Sequence, residues 1–163
     1  MSSATAPSSR TWACATSPAS GMSESANAAV IREGFAAFSE ERFEDCLRTL
    51  DPDIEWHIAF PLPDLPRDRP VIYGHDQVLE LWRQFGSVWD RLVFDPEEIL
   101  YDRNDEAIVR IRIQATGAES GVELDSTLYY SMTIRDRKLR RIRPFDSPEE
   151  AAADLGVDPA EIR

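Results

Sequence analysis

Proton-transfer chemistry in this chain has few places to live. There are two histidines, His57 and His75, and two cysteines, Cys14 and Cys46. Neither pair has the spacing of a metal site or a disulfide framework, so no metal is expected. Tyr130 and Ser126 are the polar groups on an otherwise apolar strand face formed by Val122, Leu124, Leu128, Met132 and Ile134. A tyrosine there could donate a hydrogen bond to a developing oxyanion; otherwise it is a core residue with its hydroxyl at a pocket edge. Asp125 lies on the opposite parity and is expected outside. Arg110 and Arg112 alternate with Val109, Ile111 and Ile113. If turned inward they would anchor a carboxylate or enolate; the outward face suits them better. Trp56, Phe60, Tyr73, Trp82, Phe85, Trp89, Tyr130 and Phe145 form an aromatic set. Most belong to a core, and a few could line a cavity for a flat apolar ligand.

These groups need a scaffold, and the clearest part of it runs over residues 121–145. Period-two alternation gives a strand to residue 134, then Arg135-Asp136-Arg137-Lys138 turns the chain, and a second strand resumes at Leu139. Upstream, Val30, Ile31, Gly34, Phe35 and Phe38 predict a helix over 25–40, and Phe43, Cys46, Leu47 and Leu50 a short second one. Residues 54–58 read as a short strand with Trp56 inward and His57 outward. A Pro-rich loop, 61–70, precedes a third helix carrying Val78, Trp82, Phe85 and Trp89. Two strands, 91–101 and 106–116, are joined by Asp102-Arg103-Asn104-Asp105, residue types suited to a hairpin connection. Ser147-Pro148-Glu149-Glu150 starts a last helix with Ser as N-cap and Pro at its first position. The order α-α-β-α-β-β-β-β-α implies an α+β domain. In it a curved antiparallel sheet wraps N-terminal helices and leaves a cavity at its open end.

Composition sets outer bounds. The chain has 163 residues and a net charge of −12. That balance disfavours nucleic acid and anionic membrane, both of which need basic patches. The cluster 138–143 is expected to be a solvated or dimer-facing strand face. No apolar run approaches the ~20 residues of a membrane span. Residues 1–23 are rich in Ser, Ala, Thr and Pro and read as a disordered tail, with Met22 an alternative start. The domain is expected over 24–157, with 158–163 a C-terminal tail. Nothing argues for secretion, so the expected compartment is the cytoplasm.

The segments FAAFSEERFEDCLRTLDPDIEW, VIYGHDQVLELW and GVELDSTLYYSMTIRDRKLRRIRPFDSPEEAAADLG resemble the SnoaL-like polyketide cyclase branch of the nuclear transport factor 2-like superfamily, over about residues 26–157. The resemblance implies a cone-shaped, cystatin-like α+β barrel with a pocket between the sheet and the first and third helices. It also implies a homodimer through the outer sheet face. Enzymes of this family work without cofactor, by general acid–base chemistry in a largely apolar pocket. The isomerases' aspartate base falls on Trp56 or His57; on His57, an imidazole could replace it. The cyclases' acid falls nearest Asp146, which could equally help cap the final helix. The implied catalytic set is therefore His57, Asp146 and Tyr130. The implied ligand-binding set is Trp56, Tyr73, Trp82, Phe85, Trp89, Ser126 and Phe145. Two functions follow: isomerase, cyclase or hydratase chemistry on a small carbonyl or polyketide-like compound, or a non-catalytic binding or dimerisation domain. The family's last turn usually has Gly after Asp, where this chain has Arg137.

Overall fold

Helix α1 (Ala26–Ser39) begins where Ser25 can accept the Ala28 N–H on its side chain, at 3.0 Å. The computed structural model describes residues 25–59 and 71–163. The expected tail at 1–23, the loop at 61–70 and Phe60 lie outside the described residues. After α1 come α2 (Phe43–Arg48), β1 (Leu50–His57), β2 (Val71–Tyr73), α3 (Gly74–Val88), β3 (Trp89–Arg103), β4 (Glu106–Gly117), β5 (Glu123–Arg135), β6 (Lys138–Phe145) and α4 (Pro148–Leu155). The Ser147 side chain caps α4 through the Glu150 N–H, and Pro148 takes its first position.

The strands form one sheet in the order β2-β1-β6-β5-β4-β3. It is curved and open: β2 and β3 are its two edges. One pairing departs from the antiparallel expectation. β1 runs parallel to β6, with Leu50 opposite Leu139 and Trp56 opposite Ile142. Alternation tells which face a strand buries and is blind to the direction of its neighbour. Strand β2, with only three residues, is too short to show a period at all. Val122 is also corrected: it is 61% exposed and precedes β5, so the apolar face starts at Leu124.

Parity divides the sheet into two faces. The inner face carries Val109, Ile111, Ile113, Tyr130, Met132 and Ile142, all buried against Ile31, Phe35 and Phe38 of α1 and Val78, Leu81 and Trp82 of α3. Each large side chain so buried contributes about 1.5–3 kcal/mol. Gly34 lets α1 lie close to the start of β1, since a Cβ there would stand 2.7 Å from Thr49 Oγ1. The outer face carries a second apolar cluster, in which Leu100 and Ile108 pack beneath Ala151 and Ala152 of α4 with Tyr129 and Phe145 beside them. The last residues, expected as a tail, close this cluster: Ile162 packs on it, and the Arg163 N–H donates to the Leu100 carbonyl at 3.1 Å.

The rest of the outer face is dressed in ion pairs. Arg112 grips Asp125 through two bonds, 2.9 and 2.7 Å, and Arg110 meets Glu98 at 2.8 Å. Both arginines therefore face outward, and so does Asp125. Asp154 of α4 accepts from Ser131 Oγ at 2.7 Å and pairs with Arg143, fastening the helix to the sheet. At the end of β5, Arg135 makes a two-point contact with the buried Asp51, 3.1 and 3.2 Å. Burial alone would push the Asp51 carboxyl up; the Asp53 N–H and Arg135 outweigh it and hold the carboxyl below its ordinary value.

Two outcomes follow. The β5–β6 turn has positive φ at both central residues, 52° at Asp136 and 63° at Arg137. This is the geometry for which Asp-Gly is the favoured pair. Arg137→Gly should stabilise the chain by about 0.5 kcal/mol, because relief of the left-handed strain exceeds the added chain entropy of glycine; urea unfolding reads it. A depressed carboxyl contributes stability that is present above its unfolded value and is lost as pH falls through the folded one. Arg135→Met should therefore destabilise the chain by about 1–2 kcal/mol at neutral pH, with half-exposure of Arg135 limiting the loss, and by progressively less as pH falls below about 4. An equal loss at every pH would refute the pairing.

Candidate functional site

Helices α1 and α3 converge on the first turn of β3, and there the packing leaves a cleft of about 300 Å³. Phe38 and Ser39 come from the end of α1, Phe43 from the start of α2, and Glu41 from the link between them. Trp82, Phe85 and Gly86 come from α3, and residues 89–93 from β3. The floor is aromatic. Phe43 stacks on Trp82 with centroids 4.6 Å apart and planes at 23°, and Phe38 meets Trp82 and Phe85 edge-on at 5.6 and 6.1 Å. Ser39 fixes the end of α1 against β3: its Oγ accepts the Phe94 N–H at 3.0 Å and donates to the Phe94 carbonyl at 3.3 Å. The mouth carries Glu41, Asp90 and Arg91. Gly86 borders the cleft, is exposed, and would bring a Cβ within 4 Å of nothing.

Of the residues expected at a site, Trp82, Phe85 and Trp89 come together here, on one stripe of α3 and at its C-cap. The others do not line this cleft. Trp56 is 4% exposed and belongs to the core, 6.5 Å from Phe35 and 5.9 Å from Phe38 by ring centroid. Tyr130 is buried at the centre of the sheet, 6.4 Å from the Phe35 ring, and burial raises its phenol pKa, so it stays protonated. Ser126 is half-buried on the inner face, between Leu124 and Leu128. Tyr73 is 57% exposed and borders a separate surface groove with His75 and Asp76. Phe145 packs in the outer cluster under the Arg143 guanidinium, because it pairs with Tyr129 and shares that residue's face.

His57 also faces outward. Its Nε2 lies 2.6 Å from Glu55 Oε2, and Arg141 reaches the same oxygen at 3.2 Å. The His57 bond, with Arg141 behind it, holds the Glu55 carboxyl below its ordinary value. Asp146 is exposed, just before the Ser147 cap. The three groups expected to act together therefore occupy three environments: outer sheet face, interior, and solvent. Among the described residues, no group of three or more His, Cys, Asp or Glu could hold a metal, and no helix is long and apolar enough to cross a membrane.

A family model for the SnoaL-like domain matches residues 31–142. The chain belongs to the SnoaL-like family. The match spans every residue lining the cleft and stops short of α4. No curated protein matches the chain. Among solved structures, it is similar to an NTF2-like protein of unknown function from Burkholderia pseudomallei, at 18% identity over 80% of this chain and 97% of that one, with a TM-score of 0.63. It is similar to TerC, co-crystallised with polyporic acid, at 21% identity over 80% and 98%, TM-score 0.64. A putative polyketide cyclase from Sinorhizobium meliloti shares 23% identity over 71% and 93%, TM-score 0.55. At these identities the likeness establishes the fold, the nuclear transport factor 2-like α+β architecture.

Sequence reasoning placed Phe38 and Phe43 in helix stripes and missed their second role. Each sits at a helix end, where a stripe residue can be core on one side and cleft on the other. Glu41, Asp90 and Arg91 carried no periodic signal at all.

One nucleophile lies close by and is not available to the cleft. Cys46 of α2 is 2% exposed, and burial pushes its thiol up to about 12. In a Cys14→Ser background the native chain should resist a thiol reagent at pH 8 and label fully in urea. Rapid native labelling would show that α2 opens.

Proposed function

We propose that this SnoaL-like protein binds a small, flat, largely apolar organic molecule in the cleft between α1, α3 and β3, without a covalent step and without a cofactor. The observation that carries the proposal is the lining itself. Five aromatic side chains, Phe38, Phe43, Trp82, Phe85 and Trp89, border an open cleft of about 300 Å³, the lower end of the range for small-molecule sites. None of His57, Tyr130 or Asp146 borders it. Acid–base catalysis needs an ionisable group within hydrogen-bond reach of the substrate. The proton-transfer groups at this cleft are the mouth carboxylates Glu41 and Asp90, which stand beside solvent rather than in an apolar pocket. Co-crystallisation of TerC with polyporic acid supports the reading that a fold of this type accommodates an organic ligand.

Binding is testable without knowing the native ligand. Titration with a neutral naphthoquinone should quench tryptophan fluorescence saturably. Trp89→Ala should weaken binding by about tenfold, the loss of roughly one aromatic contact of 1–1.5 kcal/mol. Gly86→Leu, which adds a large side chain at a residue bordering the cleft, should weaken binding while keeping the circular dichroism of the parent. Undiminished binding in Gly86→Leu would place the ligand elsewhere. Conversion of an aryl 1,3-diketone that His57→Ala or Asp146→Asn abolishes would overturn the non-catalytic reading.

A further inference from the structure

We infer that the ligand of this cleft carries a positive charge: an aromatic or alkyl ammonium compound rather than a neutral or acidic one. The inference rests on the binding reading above and adds the charge class to it. Ring faces present negative potential to a bound cation, and a cluster of tryptophans and phenylalanines is the environment that desolvated ammonium groups favour. Trp82, Trp89, Phe38, Phe43 and Phe85 supply that cluster, and the mouth adds two carboxylates, Glu41 and Asp90, against one guanidinium, Arg91.

The placement of Glu41 is the second observation. It follows the last turn of α1 at φ 60°, and its neighbour Arg42 closes the turn by donating its N–H to the Ala37 carbonyl at 2.8 Å. Glycine is the ordinary occupant of such a left-handed position, because any Cβ there is strained. This chain keeps a carboxylate where glycine would be easier, and that carboxylate borders the cleft. Nearby acids have other employment: Arg42 holds Glu40 at 2.9 Å and Asp45 at 2.8 Å. Among the described residues Glu41 and Asp90 have no such ion-pair partner, so both are free to meet a cationic ligand. Arg91 is the opposing charge, and it leaves the mouth one carboxylate in excess.

Three ligands that share a ring and differ in charge separate the possibilities: (2-naphthylmethyl)trimethylammonium, 2-naphthylmethanol and 2-naphthoate, titrated calorimetrically into the full chain. The cation should bind about tenfold tighter than the alcohol, as expected for a partly desolvated cation over rings beside two carboxylates. The naphthoate should bind more weakly than the alcohol, and the cation's advantage should shrink as salt is raised. Glu41→Gly should raise the melting temperature and, at the same time, remove most of the cation's advantage. Glu41→Gln should remove that advantage without the thermal gain, separating charge from backbone strain. Equal affinity for all three ligands, or tightest binding of naphthoate, would overturn the charge assignment and leave the cleft as a ligand site. An unchanged preference in both Glu41 variants would also overturn it. If none of the three binds, the cleft is not a ligand site and both readings fall together.

Discussion

The ring of Phe38 touches four other rings. Its centroid lies 5.9 Å from Trp56 of β1, 5.6 Å from Trp82 and 6.1 Å from Phe85 of α3, and 5.2 Å from Phe94 of β3. Three elements distant in sequence are therefore positioned by one side chain on the last turn of α1. Aromatic pairs of this kind add about 0.5–1.5 kcal/mol each beyond the area they bury, so the junction is held more firmly than area alone predicts. Phe35, one turn earlier, extends the same packing to Tyr130 and stacks on Phe94 at 5.9 Å. The consequence is spatial. Among the described residues, the hollow that a curved sheet would leave over its helices is filled by rings, and the cleft opens beyond Phe38, where α1 ends and β3 begins. The cleft is where the aromatic packing stops.

That displacement explains what the sequence could and could not convey. The 3.6-residue stripe of Ile31, Phe35 and Phe38 specifies α1 to within a residue at each end, because Ser25 and the end of the apolar run mark the boundaries. The alternation in β5 specifies its faces, and Asp125, Ser131 and Tyr130 lie where parity puts them. Pairing direction left no trace, because β1 alternates the same way whether β6 runs with it or against it. The site was harder still. Expectation put the ligand against the inner face of β5, beside Ser126 and Tyr130. Whether that face lines a cavity or a solid core depends on how far Phe35 and Phe38 reach across from α1, a three-dimensional fact with no one-dimensional signature. Trp82, Phe85 and Trp89 border the cleft because a helix stripe that runs to the helix end leaves its last rings at an edge.

The outer face shows a different economy. The outer face is partly apolar and partly charged. Here α4 and the last residues cover its apolar part, with Asp154 tied to Ser131 and Arg143. Arg110, Arg112 and Arg141 neutralise Glu98, Asp125 and Glu55 on the remainder. His57 belongs to the same network, beside the Glu55–Arg141 pair at the end of β1. The network also accounts for the basic run 138–143. Arg141 and Arg143 serve pairing across the sheet, while Leu139 and Ile142 of the same strand point inward to the core.

The location of the cleft bears on chemistry as well as binding. Acid–base enzymes tune a carboxyl or an imidazole by burial, which disfavours the charged form and moves the group toward its working pH. Tuning of that kind needs a low-dielectric interior. The interior of this domain is largely occupied by rings, and among its described ionisable side chains burial holds Tyr130 as the neutral phenol and Cys46 as the neutral thiol, while Asp51 is engaged by Arg135. The charged groups that do border the cleft stand at its mouth. There solvent keeps the effective dielectric high and the electrostatic leverage on a proton small. Such charges can still select a ligand by sign, since attraction to a whole ion needs no shift of protonation. A rim of two carboxylates and one guanidinium beside aromatic rings is the arrangement on which the proposed recognition rests. The same filling that gives α1 its firm seat in the sheet is what leaves the charged groups of the cleft at its rim.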